Sequence, residues 1–438
     1  MLFKKSGTLA MLAIVACSTV NAETEIERPN VVFLLSDDQA WNDYGFMGHE
    51  HIQTPNLDKL AAAGMLYERG YVTAPLCRPS LASLATGLYP HETGIRGNDP
   101  VMPKGTHRKT HLELFGELRK KMTAPFSECT TFIEVLKENG YLTLQTGKWW
   151  EEDPLDHGFT HAMTHGVATA GGRHGDVGLR IGRKTIKPIT DIADKSKVTG
   201  QPFFIWYGVY LPHSPHDAPD RLFNKYKGIA PDKPTAKYWA NVEWLDETCG
   251  QIVDYLKKNN QYENTIFVFT CDNGWVQNPN KMNSSIRSKR QPVEAGIRTP
   301  IFITHEGTLQ PLRDTSSLAS NLDIATTILK ACGIEPPQEM KGLDLRDPEA
   351  LKERDRIFVD VYDHDSDLEK RKDVKDGYKA FVVIDGWYKL IQTPSSKELF
   401  NLKTDPDDRN NLASTHPEKV DYLSKLLDQW LKETPPRY

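Results

Sequence analysis

Four short runs of β-branched and aromatic residues, NVVFLLSDD (30–38), PFFIWYGVY (202–210), TIFVFTCDNG (265–274) and TPIFITH (299–305), alternate along the chain with helical patterns. The helical patterns are NLDKLAAAG (56–64), TFIEVLKENG (131–140), YWANVEWLDETCGQIVDYLKKN (238–259) and NLDIATTILKACG (321–333), several of them closed by glycine. Runs that stay apolar at nearly every position are strands buried on both faces. Strands in alternation with helices predict an α/β fold, a mostly parallel sheet sandwiched by helices. Ligands of such sheets gather at the carboxyl ends of the strands, where two of these runs carry Asp37 and Asp38, and Asp272 and Asn273.

A proline-marked link, EPPQEMKGLDL (335–345), ends this alternation. Beyond it RIFVDVY, YKAFVVIDGWYKLI and KELFNLKTDP read as short antiparallel strands and EKVDYLSKLLDQWLKE as a closing helix. A smaller C-terminal α+β subdomain with an antiparallel sheet is therefore expected over 338–438, after a main domain over 23–337. Lys4, Lys5, the apolar run LAMLAIVAC and Val20-Asn21-Ala22 read as a secretory signal over 1–22, which implies a periplasmic or extracellular protein. The alternative is a lipobox over 14–17 that lipidates Cys17. That run is too short to span a bilayer, and no transmembrane segment is expected elsewhere. The remaining cysteines, Cys77, Cys129, Cys249, Cys271 and Cys332, are odd in number, so at least one has no partner within the chain. It is either a buried free thiol or, at Cys77, a group reserved for chemistry. A net charge of −5 argues against nucleic acid as a partner, and an anionic substrate would need a local basic pocket.

Asp37 and Asp38 after one strand, with Asp272 and Asn273 after another, supply four oxygen side chains suited to a hard cation, calcium or magnesium. Between them stands CRPSLASLATGLYPHETGI (77–95). With NVVFLLSDDQ, TFIEVLKENGYLTLQTGKWW, LPHSPHDAP, FTCDNG, KRQPVEAGIRTP and KELFNLKTDPDDRNNLA it makes seven segments in an order that resembles the type I sulfatases of the alkaline phosphatase superfamily. The resemblance implies an alkaline phosphatase-like fold and a sulfatase acting on sulfated carbohydrates. Its nucleophile would be a formylglycine made from Cys77 by a formylglycine-generating maturation enzyme. The implied metal ligands are Asp37, Asp38, Asp272, Asn273 and the modified Cys77. Lys148 and Lys289 would neutralise the sulfate and the leaving oxygen, and His213 would contact the sulfate or protonate the leaving group. Two other functions fit the same residues: a phosphonate monoester or phosphodiester hydrolase of the superfamily, and a non-catalytic binder of sulfated glycans.

Two positions depart from the resemblance. Leu81 stands where the family has arginine, and Trp150 where it has histidine. If the signature opens a helix, residues 77 and 81 share a face. An arginine there could hold an aldehyde hydrate, and leucine cannot. Arg78 is a candidate replacement, although it would have to loop back. The same arginine is part of what maturation enzymes recognise, so Leu81 bears on the conversion of Cys77. Trp150 is either a platform for a sugar ring or a packed aromatic. His157, His161, His165 and His174 are candidates for the missing histidine, and TAGGRHGD (169–176) reads as a polar loop.

Overall fold

The computed structural model describes residues 28–166 and 177–437. The signal segment, Cys17, His174 and the TAGGRHGD stretch lie outside them. One sheet contains β1 (Asn30–Asp37), β2 (Met65–Tyr67), β3 (Leu142–Gly147), β4 (His161–Ala162), β5 (Phe203–Pro212), β6 (Thr265–Cys271), β7 (Ile301–Thr304) and β8 (Leu312–Asp314). Their spatial order is β8-β2-β7-β6-β1-β5-β3-β4. The five strands from β6 to β4 are parallel, while β7 runs against both of its neighbours. The sheet is thus mostly parallel, as the alternation of runs predicts. The reversal of β7 leaves no trace in its residues, because a strand buried on both faces reads the same in either direction.

The two faces of the sheet feed two cores. Val32 and Leu34 of β1, with Ile205, Tyr207, Phe267 and Phe269, pack beneath the long helix Lys233–Lys258. Val31, Phe33 and Leu35, with Phe204, Trp206, Ile266 and Val268, pack against the helices Cys77–Thr86, Phe132–Glu138 and Asp323–Ala331. Alternate residues serving opposite cores follow from the two-residue repeat of a strand.

Beneath the long helix Asp43 accepts a hydrogen bond from the Tyr238 hydroxyl at 2.8 Å. Burial pushes its carboxyl up to about 7, against the pull of that hydroxyl and of the Ala40 backbone. The folded chain therefore holds a proton that the unfolded chain releases above the ordinary value of 3.8. The associated stability is present at acid pH and is lost as pH rises through about 7. Asp43→Asn keeps a neutral acceptor there. It should melt above the parent chain at pH 8 and level with it near pH 4, each ~1 kcal/mol appearing as roughly 1 °C in a chain of this length. Parallel melting curves for the two proteins across that range would show the carboxyl to be ionised in place.

Beyond the link, β9 (Arg356–Tyr362), β10 (Tyr378–Asp385), β11 (Tyr388–Gln392) and β12 (Lys397–Asn401) form an antiparallel sheet in that order. One face carries the helix Pro417–Glu433 through Leu423, Leu427 and Trp430. The other packs Val359, Val382 and Ile391 onto Tyr71, Val72, Ile297 and Leu318 of the larger sheet's surroundings. A buried tie reinforces this seam: His91 reaches Asp360 Oδ2 of β9 at 2.7 Å and the Thr434 carbonyl at 2.7 Å. Among the described residues no helix is long and apolar enough to cross a membrane.

Candidate active site

Parallel register brings the acids together. β1 and β6 are neighbours with Ser36 opposite Cys271, so Asp37 and Asp38 leave one strand beside Asp272 and Asn273 leaving the other. Asp38 adopts a left-handed backbone (φ 61°), which turns the chain sharply; its N–H donates to Asp272 Oδ1 at 3.1 Å, and Asn273 Nδ2 donates to Asp38 Oδ1 at 2.8 Å. On the far side of β5, strand β3 ends at Gly147 (φ 69°), where a Cβ would lie 2.1 Å from the Gly208 carbonyl oxygen. Only glycine permits that approach. The turn delivers Lys148, whose Nζ lies 2.5 Å from Asp37 Oδ1 and 2.6 Å from Asp272 Oδ2.

Cys77 is the first residue of its helix. Lys289 Nζ donates to the Cys77 sulfur at 2.9 Å and lies 2.5 Å from Asp38 Oδ1, so this lysine bridges the thiol and the acids. Its segment is anchored from the C-terminal sheet. Buried Lys389 of β11 donates to Glu294 Oε1 at 3.0 Å and to Asp408 Oδ2 at 2.9 Å, and the same Asp408 oxygen accepts from the Glu294 N–H at 2.9 Å. His213 follows β5 and is 33% exposed. Its Nδ1 lies 2.6 Å from the Ser214 carbonyl and so carries the proton, while Nε2 faces Asp38 Oδ2 at 3.5 Å.

Ligand atoms of Asp37, Asp38, Cys77 and Asp272 all lie within 4.8 Å of one another, and all four residues are buried. Asp37 Oδ2 and Asn273 Oδ1 are buried acceptors with no hydrogen-bond partner. Buried acceptors of this kind are costly unless something satisfies them. Three carboxylates and an amide oxygen fit a hard divalent cation; the Cys77 thiol fits one poorly and an oxygen in its place would fit well. Burial raises Asp37, with Lys148 and His213 opposing. Burial acts the same way on Asp38, but Lys289, His213 and Lys148 outweigh it and hold that carboxyl at about 2. The Cys77 thiol is pushed up to about 12 by burial, against both lysines, so it is no thiolate nucleophile at neutral pH.

The structure thus gathers Asp37, Asp38, Cys77, Lys148, His213, Asp272, Asn273 and Lys289 at one point. Arg78 does not join them. Its Nε and Nη2 donate to Glu151 at 2.7 and 2.6 Å, and Nη2 also donates to Thr123 Oγ1 at 2.7 Å, a buried ion pair that holds Arg78 outside the lining of the cleft. Leu81 packs in the apolar core. Trp150 is buried yet lines the cleft. His157 packs against Phe126 and Trp149, His161 meets Lys195, and His165 is exposed; none of them lines the cleft. Among the described residues, the five cysteines are buried and unpaired. Sequence reasoning missed other lining residues: Asn98, Arg108, Tyr210, Trp275, Arg290 and His364. The cluster HRKTH (107–111) and the pair Lys289-Arg290 were visible signals for two of these, whereas His364 comes from the C-terminal segment and had none.

Residues 29–334 match the family model described as Sulfatase, and residues 285–434 the one described as N-sulphoglucosamine sulphohydrolase, C-terminal. The chain is similar to the N-acetylgalactosamine-6-sulfatase of Canis lupus familiaris, 28% identical over 375 residues that span 76% of this chain and 68% of that protein. It is similar to the arylsulfatase of Clostridium perfringens (strain 13 / Type A), 24% identical over 91% of this chain and 94% of that one. In fold it resembles BT4656 in complex with D-glucosamine-2-N,6-O-disulfate, with a TM-score of 0.71 at 20% identity over 93% and 98% of the two chains.

Proposed function

Since this chain belongs to the sulfatase family and is a sulfuric ester hydrolase, we propose that its substrate is a sulfated carbohydrate and its nucleophile a formylglycine made from Cys77. The observation that carries this reading is the contact of Lys289 with both the Cys77 sulfur and Asp38, within a cluster of buried acids. Asp37, Asp38, Asp272, Asn273 and the oxygen of a converted residue 77 would hold calcium, with magnesium the alternative; such an ion polarises a sulfate oxygen. A formylglycine supplies a hydrated aldehyde, a hydroxyl nucleophile in place of a protonated thiol.

The chain's own residues do the rest. Lys148 and Lys289 set two positive charges beside the position of the sulfate, where negative charge grows on the leaving oxygen. With its Nδ1 proton committed to the Ser214 carbonyl, His213 presents Nε2 to the cleft. As imidazolium, Nε2 donates a proton to the departing alcohol. Leu81 offers no polar group, so the residue that meets position 77 in this chain is Lys289. Export through the N-terminal signal belongs to the same proposal.

The test is the mass of the peptide containing Cys77, from chain made with and without a formylglycine-forming partner, together with sulfate release in calcium. Conversion accompanied by sulfate release from sulfated sugars, lost on chelation and restored by calcium, is the expected outcome. A converted chain that cleaves phosphodiesters and no sulfate ester would sink the assignment. Tight binding of sulfated glycans by a chain that no maturation system converts would point to a binder instead.

A further inference from the structure

The cleft of about 400 Å³ has basic groups at two levels. Lys148, Lys289 and His213 stand at the floor among the acids. Arg108, Arg290 and His364 line the same cleft but come from three other places: a loop, the residue after Lys289, and the C-terminal segment. One sulfate ester is already matched by the floor, so the second set needs an explanation.

Arg290 is the most informative of the three. It sits in the left-handed region (φ 70°), a conformation that costs a side-chain-bearing residue roughly 1–2 kcal/mol. Its N–H donates to the Pro75 carbonyl at 2.7 Å, just ahead of Cys77. The turn lets Lys289 reach Cys77 and Asp38 while Arg290 stays exposed. Among the described residues its guanidinium makes no hydrogen bond or ion pair. Arg108 is 46% exposed and lies 2.6 Å from Asp99, but that one carboxylate also faces Arg119 at 3.6 Å, so it serves two arginines. The loop around it adds Lys104, His107, Lys109 and His111, with no acidic residue between Asp99 and Glu113. The three mouth residues meet at Asp365: beside the hydrogen bond from His364, the fields of Arg108 and Arg290 lower that carboxyl. In a chain of net charge −5, this local excess of positive charge runs against the whole.

We infer that the mouth of the cleft is a second anion-recognition site, so that the preferred substrate carries, beside the ester to be cleaved, another anionic group for Arg290 and Arg108 to hold. This rests on the sulfatase reading and sharpens its substrate class. The guanidinium fork suits either a carboxylate or a second sulfate, both of which occur on acidic sugars. The ester fixes one end of the sugar at the floor and the second anion fixes its orientation. The mouth thereby separates multiply charged sugars from singly charged ones.

The test measures binding to the unconverted wild-type chain in calcium by titration calorimetry, where no turnover intervenes. Probes are matched sets built on glucosamine and on galactosamine: the 6-sulfate, a disulfate, and a disaccharide pairing the 6-sulfated hexosamine with a uronate. In at least one set a dianionic member should bind about tenfold more tightly than the monosulfate, and the advantage should shrink as salt rises. The preferred member tells a sulfate from a carboxylate. Arg290→Ala should remove most of that advantage, Arg108→Ala part of it, and Arg290→Lys should restore some. Equal affinity for mono- and dianionic members in every set, no binding by any member, or equal weakening of both members by Arg290→Ala would each overturn the inference. The sulfatase reading fails separately, if converted chain releases no sulfate from any of these sugars.

Discussion

Cys77→Ala should lower sulfate-ester turnover by roughly 10⁴-fold or more, the scale on which loss of a covalent nucleophile is felt, while leaving the fold intact. The residue occupies the first position of its helix and its side chain is small, so truncation removes few packing contacts. What it removes is the atom that Lys289 touches at 2.9 Å. Kinetics on the variant alongside converted parent chain, with melting temperature as the control for folding, decide the matter. Residual activity within tenfold of the parent would place the nucleophile elsewhere.

The second large effect concerns stability. Arg78 is fully buried and its charge is met by Glu151, which follows Lys148, Trp149 and Trp150 directly. Glu151→Gln leaves the shape nearly unchanged but strands the guanidinium without a counter-charge, at a cost of about 3–5 kcal/mol. For a chain of this size that amounts to a drop of about 3–5 °C in melting temperature. The pair also joins the start of the Cys77 helix to the turn that carries Lys148, so activity should fall beyond what unfolding accounts for. The double change Arg78→Met with Glu151→Leu removes both charges and should recover much of the stability, because a buried pair replaced by apolar groups is often near neutral. Denaturant unfolding of the three proteins measures this. A Glu151→Gln chain within ~0.5 kcal/mol of the parent would mean that the guanidinium finds another partner.

The strands, their helices and the acids at their ends were legible because each is a local pattern. Asp37 and Asp38 follow an apolar run, and so do Asp272 and Asn273; parallel pairing then makes neighbours of residues more than 200 positions apart. Whatever depended on contacts between distant segments stayed hidden. Arg78 read as a spare cation for the site, and nothing local announces that Glu151 claims it. The reversed direction of β7 is invisible in a strand buried on both sides. His364 and Lys389 belong to a segment whose docking onto the larger sheet is set by the packing of Val359, Val382 and Ile391, which no spacing encodes.

The position of Cys77 also sets a clock. The residue is 2% exposed, in the lining of the cleft, and its sulfur is covered by the Lys289 ammonium. A second protein has no room to bring its own catalytic groups to that sulfur once the chain has closed around it. Under the proposed conversion of Cys77, modification and folding are in a race, which a converting enzyme would win only by meeting the segment around residue 77 while it is still extended. A chain that folded first would lock its thiol away, so on that proposal the active fraction of a preparation would record the order of two events in its history.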